Sequence, residues 1–236
     1  MADRNESSAS GGQFREQDVV IPAGPVRLGG NLVAPPNATG VVLFAHGSGS
    51  SRFSRRNRFV AGTLRQAGLA TLLLDLLSPA EEKVDQVSRQ YRFDIGLLAD
   101  RLVVTIDWLR AQPDTADLPI GLFGASTGGG AALVAAAERP TQIAAVVSRG
   151  GRPDLAGDAL SRVDAPTLLI VGGEDDVVID LNEQARARMH GEVRLEIVPG
   201  ATHLFEETGA LEHVARLARD WFLQYLPAAH PAPGTA

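Results

Sequence analysis

The chain has no cysteine among its 236 residues. This absence excludes disulfide bonds, thiolate metal sites and a cysteine nucleophile. It is compatible with a reducing or an oxidising compartment. Long apolar runs are also missing, since none approaches the 18 residues that a transmembrane helix requires. The five histidines include no pair with the spacing of metal ligands, so the sequence predicts no metal site.

An excess of positive charge is absent as well. The formal net charge is −6 at pH 7, which argues against nucleic acid and anionic membranes as partners but leaves small molecules open. The N-terminal residues Met1 to Gly12 are polar and lack the apolar core of a secretion signal. We therefore expect a cytoplasmic protein.

Composition and length indicate one globular domain. Apolar residues make up 44% of the chain and charged residues 21%, as is typical of a soluble fold. A chain of 236 residues can form one well-buried core but is short for two. We expect a single domain over residues 17–226 and disordered tails over 1–16 and 227–236. An exposed edge strand near 18–33 would permit pairing, so both a monomer and a homodimer stay open.

The order of the predicted elements indicates the fold class. The first two strands form an antiparallel pair, and most later strands are continuous apolar runs of the kind that is buried on both faces of a sheet. Their alternation with helices implies an α/β fold, a mostly parallel sheet with helices on both faces. The predicted strands are 18–21, 26–33, 41–45, 70–74, 119–123, 143–147, 167–171 and 193–198, and the predicted helices are 57–67, 93–110, 130–138, 181–189 and 211–225.

The segment Gly124-Ala125-Ser126-Thr127-Gly128 joins a buried strand to an Ala-rich helix. A serine at the apex of such a turn has strained backbone angles and an exposed hydroxyl. The glycines two residues before and after it let the strand and the helix pack closely. The pattern therefore predicts a nucleophile at Ser126. Taken alone it is weak, because a turn serine can also serve only to satisfy a helix N-terminus.

Polar residues of complementary chemistry follow four of the predicted strands. Ligands of a parallel sheet bind outside the carboxyl ends of its strands, so these positions should meet at one edge. They carry a glycine turn at 46–49, the hydroxyl of Ser126, an acidic turn at 172–176 and the imidazole of His203. The chain order Ser, Asp, His is the order expected for a catalytic triad that begins at such a turn.

The residue types at these strand ends match the parts of a nucleophilic mechanism. A serine hydroxyl needs a base within hydrogen-bond reach, and His203 can fill that role for Ser126. Asp175 can hold the imidazole in the required tautomer and stabilise the imidazolium. The backbone N–H groups of Ser48 and Thr127 are candidates for the oxyanion hole.

Two of these assignments have alternatives. His203 could be a structural loop histidine, although it is the histidine that follows a late strand. The neighbouring Glu174 or Asp176 could replace Asp175, and an acidic triple is often a solvated turn. Asp175 is favoured because it stands third after Gly172 at the strand end.

Together these motifs resemble the α/β-hydrolase superfamily and, within it, the dienelactone hydrolase family. The resemblance covers roughly residues 17 to 225 and rests on His46-Gly47-Ser48-Gly49-Ser50-Ser51, Gly124 to Gly128, Gly172 to Asp175 and Gly200-Ala201-Thr202-His203. Dienelactone hydrolases proper use a cysteine at the turn where this chain has a serine. Relatives with a serine are generally carboxylesterases or acyl hydrolases, so the resemblance implies cleavage of an ester that it does not name.

The loops around the predicted site leave no room for a large lid. Residues 148–166, where many α/β-hydrolases carry one, are few, polar and rich in glycine. We therefore expect an open pocket suited to small or medium esters. The stretch 78–92 is the other expected rim element, with Tyr91 as a candidate substrate-binding wall.

Arginines cluster after two of the strands, at 52–58 and at 149–152. A guanidinium offers a bidentate fork to a carboxylate or phosphate, so either cluster could clamp an acidic substrate. The alternative is a solvated loop with surface ion pairs, which is favoured for 52–58. Arg149 is better placed, and we retain it as a candidate substrate-binding residue.

The sequence thus predicts a serine hydrolase that cleaves small or medium carboxylic esters through an acyl-enzyme and requires no cofactor. The expected partner is a small-molecule ester. A lactone, thioester or amide hydrolase with the same triad is the alternative, because pocket shape determines the leaving group. A catalytically silent binding module on the same fold is a third hypothesis. The presence of every triad member argues against it.

Overall fold

The computed structural model describes residues 16–226. The predicted tails therefore lie outside the described residues, apart from Glu16. Within this range the chain forms an eight-stranded sheet, six α-helices and one 3₁₀ segment. No helix of the described range is both long and apolar enough to cross a membrane.

The sheet is mostly parallel. Its strands are β1 (Gln17–Ala23), β2 (Val26–Val33), β3 (Val41–Ala45), β4 (Ala70–Leu74), β5 (Ile120–Ala125), β6 (Ile143–Arg149), β7 (Thr167–Gly172) and β8 (Val193–Val198). They lie in the order β1-β2-β4-β3-β5-β6-β7-β8. β2 pairs antiparallel with β1 and β4, and the other pairings are parallel. This architecture confirms the predicted fold class and its N-terminal antiparallel pair.

Helices cover both faces of the sheet. They are α1 (Arg55–Gln66), α2 (Pro79–Ser88), α3 (Ile95–Arg110), α4 (Thr127–Glu138), α5 (Asp176–Arg188) and α6 (Ala210–Tyr225). α1 contacts α6, and α3 contacts α4. Side chains alternate along β3, so that Leu43 joins the apolar cluster beneath α3 and α4 while Phe44 joins the cluster beneath α1 and α6. The central strands are therefore buried on both faces, as their continuous apolar runs predict.

The segment between β6 and β7 contains only a 3₁₀ stretch, Pro153–Arg162, with a kink at Gly157. It packs against α4 and α5. Its length agrees with the prediction that no large lid is inserted here. The carboxyl edge of the sheet is therefore bordered by short loops and by the N-termini of the helices that follow the strands.

Helix α2 is an element that the sequence prediction missed, since 78–92 was expected only as a rim segment. Its start is a capping box: the Ser78 hydroxyl accepts from the Glu81 N–H at 3.3 Å, and the Glu81 carboxylate accepts from the Ser78 N–H at 2.8 Å. Pro79 occupies the first helical position, where its missing N–H costs nothing. The pattern Ser-Pro-x-Glu is therefore the signal that could have found this helix.

The loop after α2 is fixed by Asp85, whose side chain is 1% exposed. Its carboxylate accepts hydrogen bonds from the backbone N–H groups of Tyr91 and Arg92 and from the Arg92 guanidinium. Burial raises the pKa of Asp85, but these hydrogen bonds lower it by more, so that the pKa lies below its ordinary value. These hydrogen bonds fix the position of Tyr91, whose side chain is partly buried against the cluster beneath α3 and α4.

Candidate active site

Ser126 lies in the sharp turn between β5 and α4. Its backbone angles are φ 51° and ψ −123°, a conformation that costs strain in a residue with a side chain. Surrounding backbone groups hold the turn: the Ser126 N–H donates to the Arg149 carbonyl at 3.3 Å. The Ser126 carbonyl accepts from the N–H groups of Gly129 at 2.9 Å and Arg152 at 3.1 Å.

Glycines around Ser126 are required by close backbone approach. A Cβ at Gly124 would lie 2.4 Å from the Gly128 carbonyl oxygen, and one at Gly128 would lie 2.4 Å from the Ala45 carbonyl oxygen. A Cβ at Gly47 would stand 3.1 Å from the Ser126 Cβ. The main chain of the turn therefore packs directly against that of α4 and of the loop after β3, with no room for a side chain between them.

His203 and Asp175 are joined by a short hydrogen bond. His203 lies in the loop after β8 and Asp175 just before α5, and 2.6 Å separates His203 Nδ1 from Asp175 Oδ2. The loops that carry them are tied together by the Glu174 N–H, which donates to the Ala201 carbonyl at 3.0 Å. Of the three consecutive acidic residues, the structure thus brings Asp175 to the imidazole. In the neutral tautomer that donates its Nδ1 proton to this carboxylate, Nε2 is the nitrogen that can accept a proton.

Ser126 and His203 line a single cavity of about 270 Å³ at the carboxyl edge of the sheet. Among residues 16–226, no hydrogen bond joins the serine hydroxyl to the ring, and such contacts commonly tighten only when substrate is bound. The other residues that line this cavity are Gly47, Ser48, Ser50, Ser54, Arg56, Asn57, Ala125, Arg149 and Leu204.

The loop after β3 is held by His46. The Leu76 N–H donates to His46 Nε2 at 3.1 Å, so the ring proton is on Nδ1, which donates to the Gly47 carbonyl at 2.9 Å. Burial lowers the pKa of His46 despite this hydrogen bond and the charge of Asp75, and the ring is therefore neutral at pH 7. Because the carbonyl of a trans peptide points away from its N–H, this contact fixes the direction of the Ser48 N–H.

The two predicted oxyanion donors are neighbours in the structure. The hydroxyls of Ser48 and Thr127 are 3.1 Å apart, which holds the loop after β3 against the first turn of α4. Thr127 is the first residue of α4, so its backbone N–H has no partner within the helix. An N–H at this position is available to a ligand oxygen beside Ser126.

The arginine cluster at 52–58 divides into different environments. Arg56 lines the cavity of Ser126 and His203 and forms an ion pair with Glu206 at 3.1 Å. Arg52 instead binds Asp75, and the exposed Arg58 binds Glu16. The surface ion pairs expected for this cluster are present, and Arg56 in addition lines the cavity, because α1 packs on the sheet.

Arg149 ends β6 and reaches the same cavity, while Tyr91 does not. Arg149 is 7% exposed, and its guanidinium donates to Asn57 Oδ1 at 3.4 Å. Asn57 is a buried cavity residue that the sequence analysis did not single out. Tyr91 is not among the residues that line this cavity, because its side chain packs instead against the cluster beneath α3 and α4. The described part of the chain contains no group of three or more His, Asp or Glu side chains that could hold a metal ion.

Comparison with known proteins identifies the family of this chain. The model of the dienelactone hydrolase family matches residues 29–226. The chain belongs to the dienelactone hydrolase family. A crystal structure of the dienelactone hydrolase from Anabaena variabilis has 63% sequence identity and a TM-score of 0.89, and the match covers 91% of this chain and 99% of that one. Membership in this family, and in the α/β-hydrolase superfamily that contains it, confirms the resemblance found in the sequence.

Two further comparisons concern the length of a relative and the fold. A Mycobacterium tuberculosis protein named "Putative phosphoribosyl transferase" is 60% identical over 213 residues, which are 90% of this chain and 47% of that protein. The chain thus spans about half the length of that relative. Carboxyl esterase 2 from Tuber melanosporum is 16% identical with a TM-score of 0.72, over 92% of this chain and 89% of that one, which shows a common fold.

Proposed function

We propose that this protein is a serine hydrolase that cleaves small or medium carboxylic esters through an acyl-enzyme. One observation carries the proposal. A strained, outward-facing Ser126 shares a cavity with His203, whose Nδ1 is bound by Asp175 at 2.6 Å. This arrangement supports the roles of nucleophile, base and orienting carboxylate for Ser126, His203 and Asp175.

In the first half-reaction the Ser126 oxygen attacks the ester carbonyl while His203 Nε2 removes the hydroxyl proton. The Asp175 carboxylate stabilises the imidazolium that results. The C–O bond to the alcohol then breaks, and the imidazolium returns its proton to the leaving oxygen. The products of this step are a free alcohol and an ester between Ser126 and the acyl group.

In the second half-reaction water attacks the acyl-enzyme with His203 again as base, which releases the acid and restores the serine. Both tetrahedral intermediates carry a negative oxygen. The backbone N–H groups of Ser48 and Thr127 are proposed to bind it, and fixed donors of this kind lower the barrier substantially. The hydrogen bond from His46 to the Gly47 carbonyl supports this role for Ser48.

The size and lining of the cavity support a small or medium substrate. About 270 Å³ is below the usual range for pockets that enclose drug-sized ligands, and no residue of the 3₁₀ stretch between β6 and β7 is among those that line the cavity. Arg149 is retained as a substrate-binding residue because it reaches this cavity. A lactone is the second candidate substrate, favoured by the 63% identity to a protein named dienelactone hydrolase.

The proposal is tested with p-nitrophenyl acetate and butyrate and with a fluorophosphonate label read by intact mass. Wild type should hydrolyse the esters with a burst and take up one label. Ser126→Ala should lose both, with a rate decrease of more than about 10³-fold. Ser161→Ala, which changes an exposed serine on the 3₁₀ stretch, is the matched control and should behave as wild type.

Either of two results would reject the proposal. Ester hydrolysis that survives in Ser126→Ala would show that another group is the nucleophile. A folded wild type that neither takes the label nor cleaves esters or lactones would favour a silent binding module instead.

A further inference from the structure

Arg149 carries a buried charge that no carboxylate compensates within the described residues. It is 7% exposed, its Nε has no hydrogen-bond partner, and its contact with Asn57 is long at 3.4 Å. Arg101 is buried to a similar degree, but Glu81 binds it at 2.9 Å and the Ala23 carbonyl accepts from it at 2.8 Å. An unpaired buried guanidinium is costly to the fold, so Arg149 is a group that lacks its partner.

A second guanidinium makes the imbalance larger. Arg56 lines the same cavity, and its Nε is also buried without a partner. Burial, together with the nearby charge of Arg56, lowers the pKa of Arg149 to about 10, which leaves it charged at neutral pH. The carboxylate of Glu206, 67% exposed, binds Arg56 at 3.1 Å. The two cations therefore share a single, well-solvated negative charge.

Two further residues of the lining, Ser50 and Ser54, carry neutral hydroxyls and also border a neighbouring cavity that contains Asp75 and Glu82. Ser54 is the N-cap of the twelve-residue helix α1. The positive end of the α1 dipole therefore lies beside the two guanidinium groups. No aspartate or glutamate is among the described residues that line the cavity of Arg149.

We infer that the Arg149 and Arg56 end of the cavity binds a phosphate group carried by the substrate, so that the natural ester is a phosphorylated one. The inference rests on the proposed function, because Ser126 attacks the carboxylic ester while the phosphate is only bound and no bond to phosphorus breaks. A carboxylate has two acceptor oxygens and one charge. Two guanidinium forks, two hydroxyls and a helix N-terminus match better the three oxygens and the higher charge of a phosphate monoester.

The first test measures inhibition of p-nitrophenyl acetate hydrolysis by inorganic phosphate at constant ionic strength. Phosphate should compete with substrate in wild type, and its inhibition constant should rise about tenfold or more in Arg149→Gln, which loses charge-assisted hydrogen bonds. Arg58→Gln, which removes an exposed arginine paired with Glu16, is the control and should keep the wild-type constant. An equal constant in wild type and folded Arg149→Gln would overturn the inference.

Arg56→Gln provides a second variant in case Arg149→Gln does not fold. Its inhibition constant for phosphate should rise as well, by a smaller factor of about threefold, because Glu206 already screens part of the Arg56 charge. Benzoate is the carboxylate probe. If benzoate inhibits wild type as strongly as phosphate does, the assignment of phosphate is wrong.

Failure of this inference is separable from failure of the proposed function. A wild type that cleaves esters through Ser126 but is not inhibited by phosphate would leave the hydrolase proposal standing and remove the phosphate site. If no ester is cleaved, calorimetric titration of inorganic phosphate into wild type and Arg149→Gln tests the site directly. Heat in wild type alone supports the phosphate site, and equal or absent heat in both proteins rejects it.

Discussion

Asp175 is the middle member of an acidic triple, and its neighbours provide an internal comparison at the scale of single residues. We expect Asp175→Asn to lower kcat/KM by about 10²–10⁴-fold, because an amide leaves the imidazole in the wrong tautomer. Asp176→Asn changes the first residue of α5 and should leave kcat/KM near the wild-type value. Steady-state kinetics on p-nitrophenyl butyrate compare the two, and the opposite pattern would move the carboxylate role to Asp176.

In the proposed mechanism, His46 positions one oxyanion donor, because its ring binds the carbonyl of the Gly47–Ser48 peptide. We expect His46→Ala to reduce kcat by about tenfold to hundredfold with little change in KM, because a small misplacement of one N–H donor weakens binding of the transition state more than binding of the substrate. The measurement is the separate determination of kcat and KM for p-nitrophenyl acetate. A rise in KM with unchanged kcat would assign His46 to substrate binding instead.

At the scale of elements, the contact between α4 and β3 depends on Gly128. A Cβ there would lie 2.4 Å from the Ala45 carbonyl oxygen and 2.6 Å from that of His46. Gly128→Ala should therefore lower the free energy of unfolding by roughly 1–3 kcal/mol or more, since backbone must move to accept the methyl group. Urea denaturation followed by circular dichroism measures the change.

Gly62 supplies the matched control for that experiment. It lies inside α1, and a Cβ there would meet no atom within 4 Å. Gly62→Ala should stabilise the protein by about 0.5–1 kcal/mol, because alanine loses less backbone freedom than glycine on entering a helix. Equal effects of the two substitutions would contradict the steric account of the α4 contact.

Asp85 fixes the loop that follows α2, and we expect its contribution to the free energy of unfolding to depend on pH. Its folded pKa lies below the ordinary value of 3.8, so the carboxylate stabilises the fold fully above that value and loses this effect as the pH falls through the folded pKa. At pH 7 we expect Asp85→Asn to cost roughly 1.5–3 kcal/mol. The deficit should shrink at pH 3.

Urea unfolding at both pH values checks this prediction. Asp100→Asn, on the exposed side of α3, is the control and should show little deficit at either pH. A deficit of Asp85→Asn that grows towards pH 3 would mean that the pKa of Asp85 is raised rather than lowered.

The sequence predicts the elements of this fold where a single local pattern decides them. β3 and β4 are continuous apolar runs, and the predicted bounds agree with the structure. α5 begins at Asp176, five residues before the predicted 181, because its first turn carries an exposed Val177 and acidic residues that resemble a loop. β1 continues through Pro22, which an edge strand tolerates.

At the scale of the whole molecule, some residues of the candidate site can be predicted from local sequence and others cannot. Ser126, Asp175 and His203 each stand in a local motif at a strand end, so sequence alone could nominate them. Arg56 and Asn57 reach the cavity only because α1 packs across the sheet with its N-terminus at the carboxyl edge. That orientation depends on contacts between distant segments, which no short window of sequence contains.

The relative from Mycobacterium tuberculosis is a longer chain than this one. The match covers 90% of this chain but 47% of that protein, so a similar sequence there is part of a chain about twice as long. The name of that protein refers to the whole chain. A partial match therefore assigns no transferase activity to the domain described here.

The main chain and the side chain of Arg149 have separate roles. Together they fix the distance between a positive charge and Ser126. Its carbonyl accepts the N–H of Ser126 at 3.3 Å, while its side chain lies in the cavity beside α1. The next residue, Gly150, would bring a Cβ to 3.1 Å from the His203 carbonyl oxygen. The end of one rigid strand thus sets the spacing between cation and nucleophile. In the proposed mechanism, this fixed spacing selects a substrate by the distance between its charged end and its ester carbonyl, whatever group lies between them.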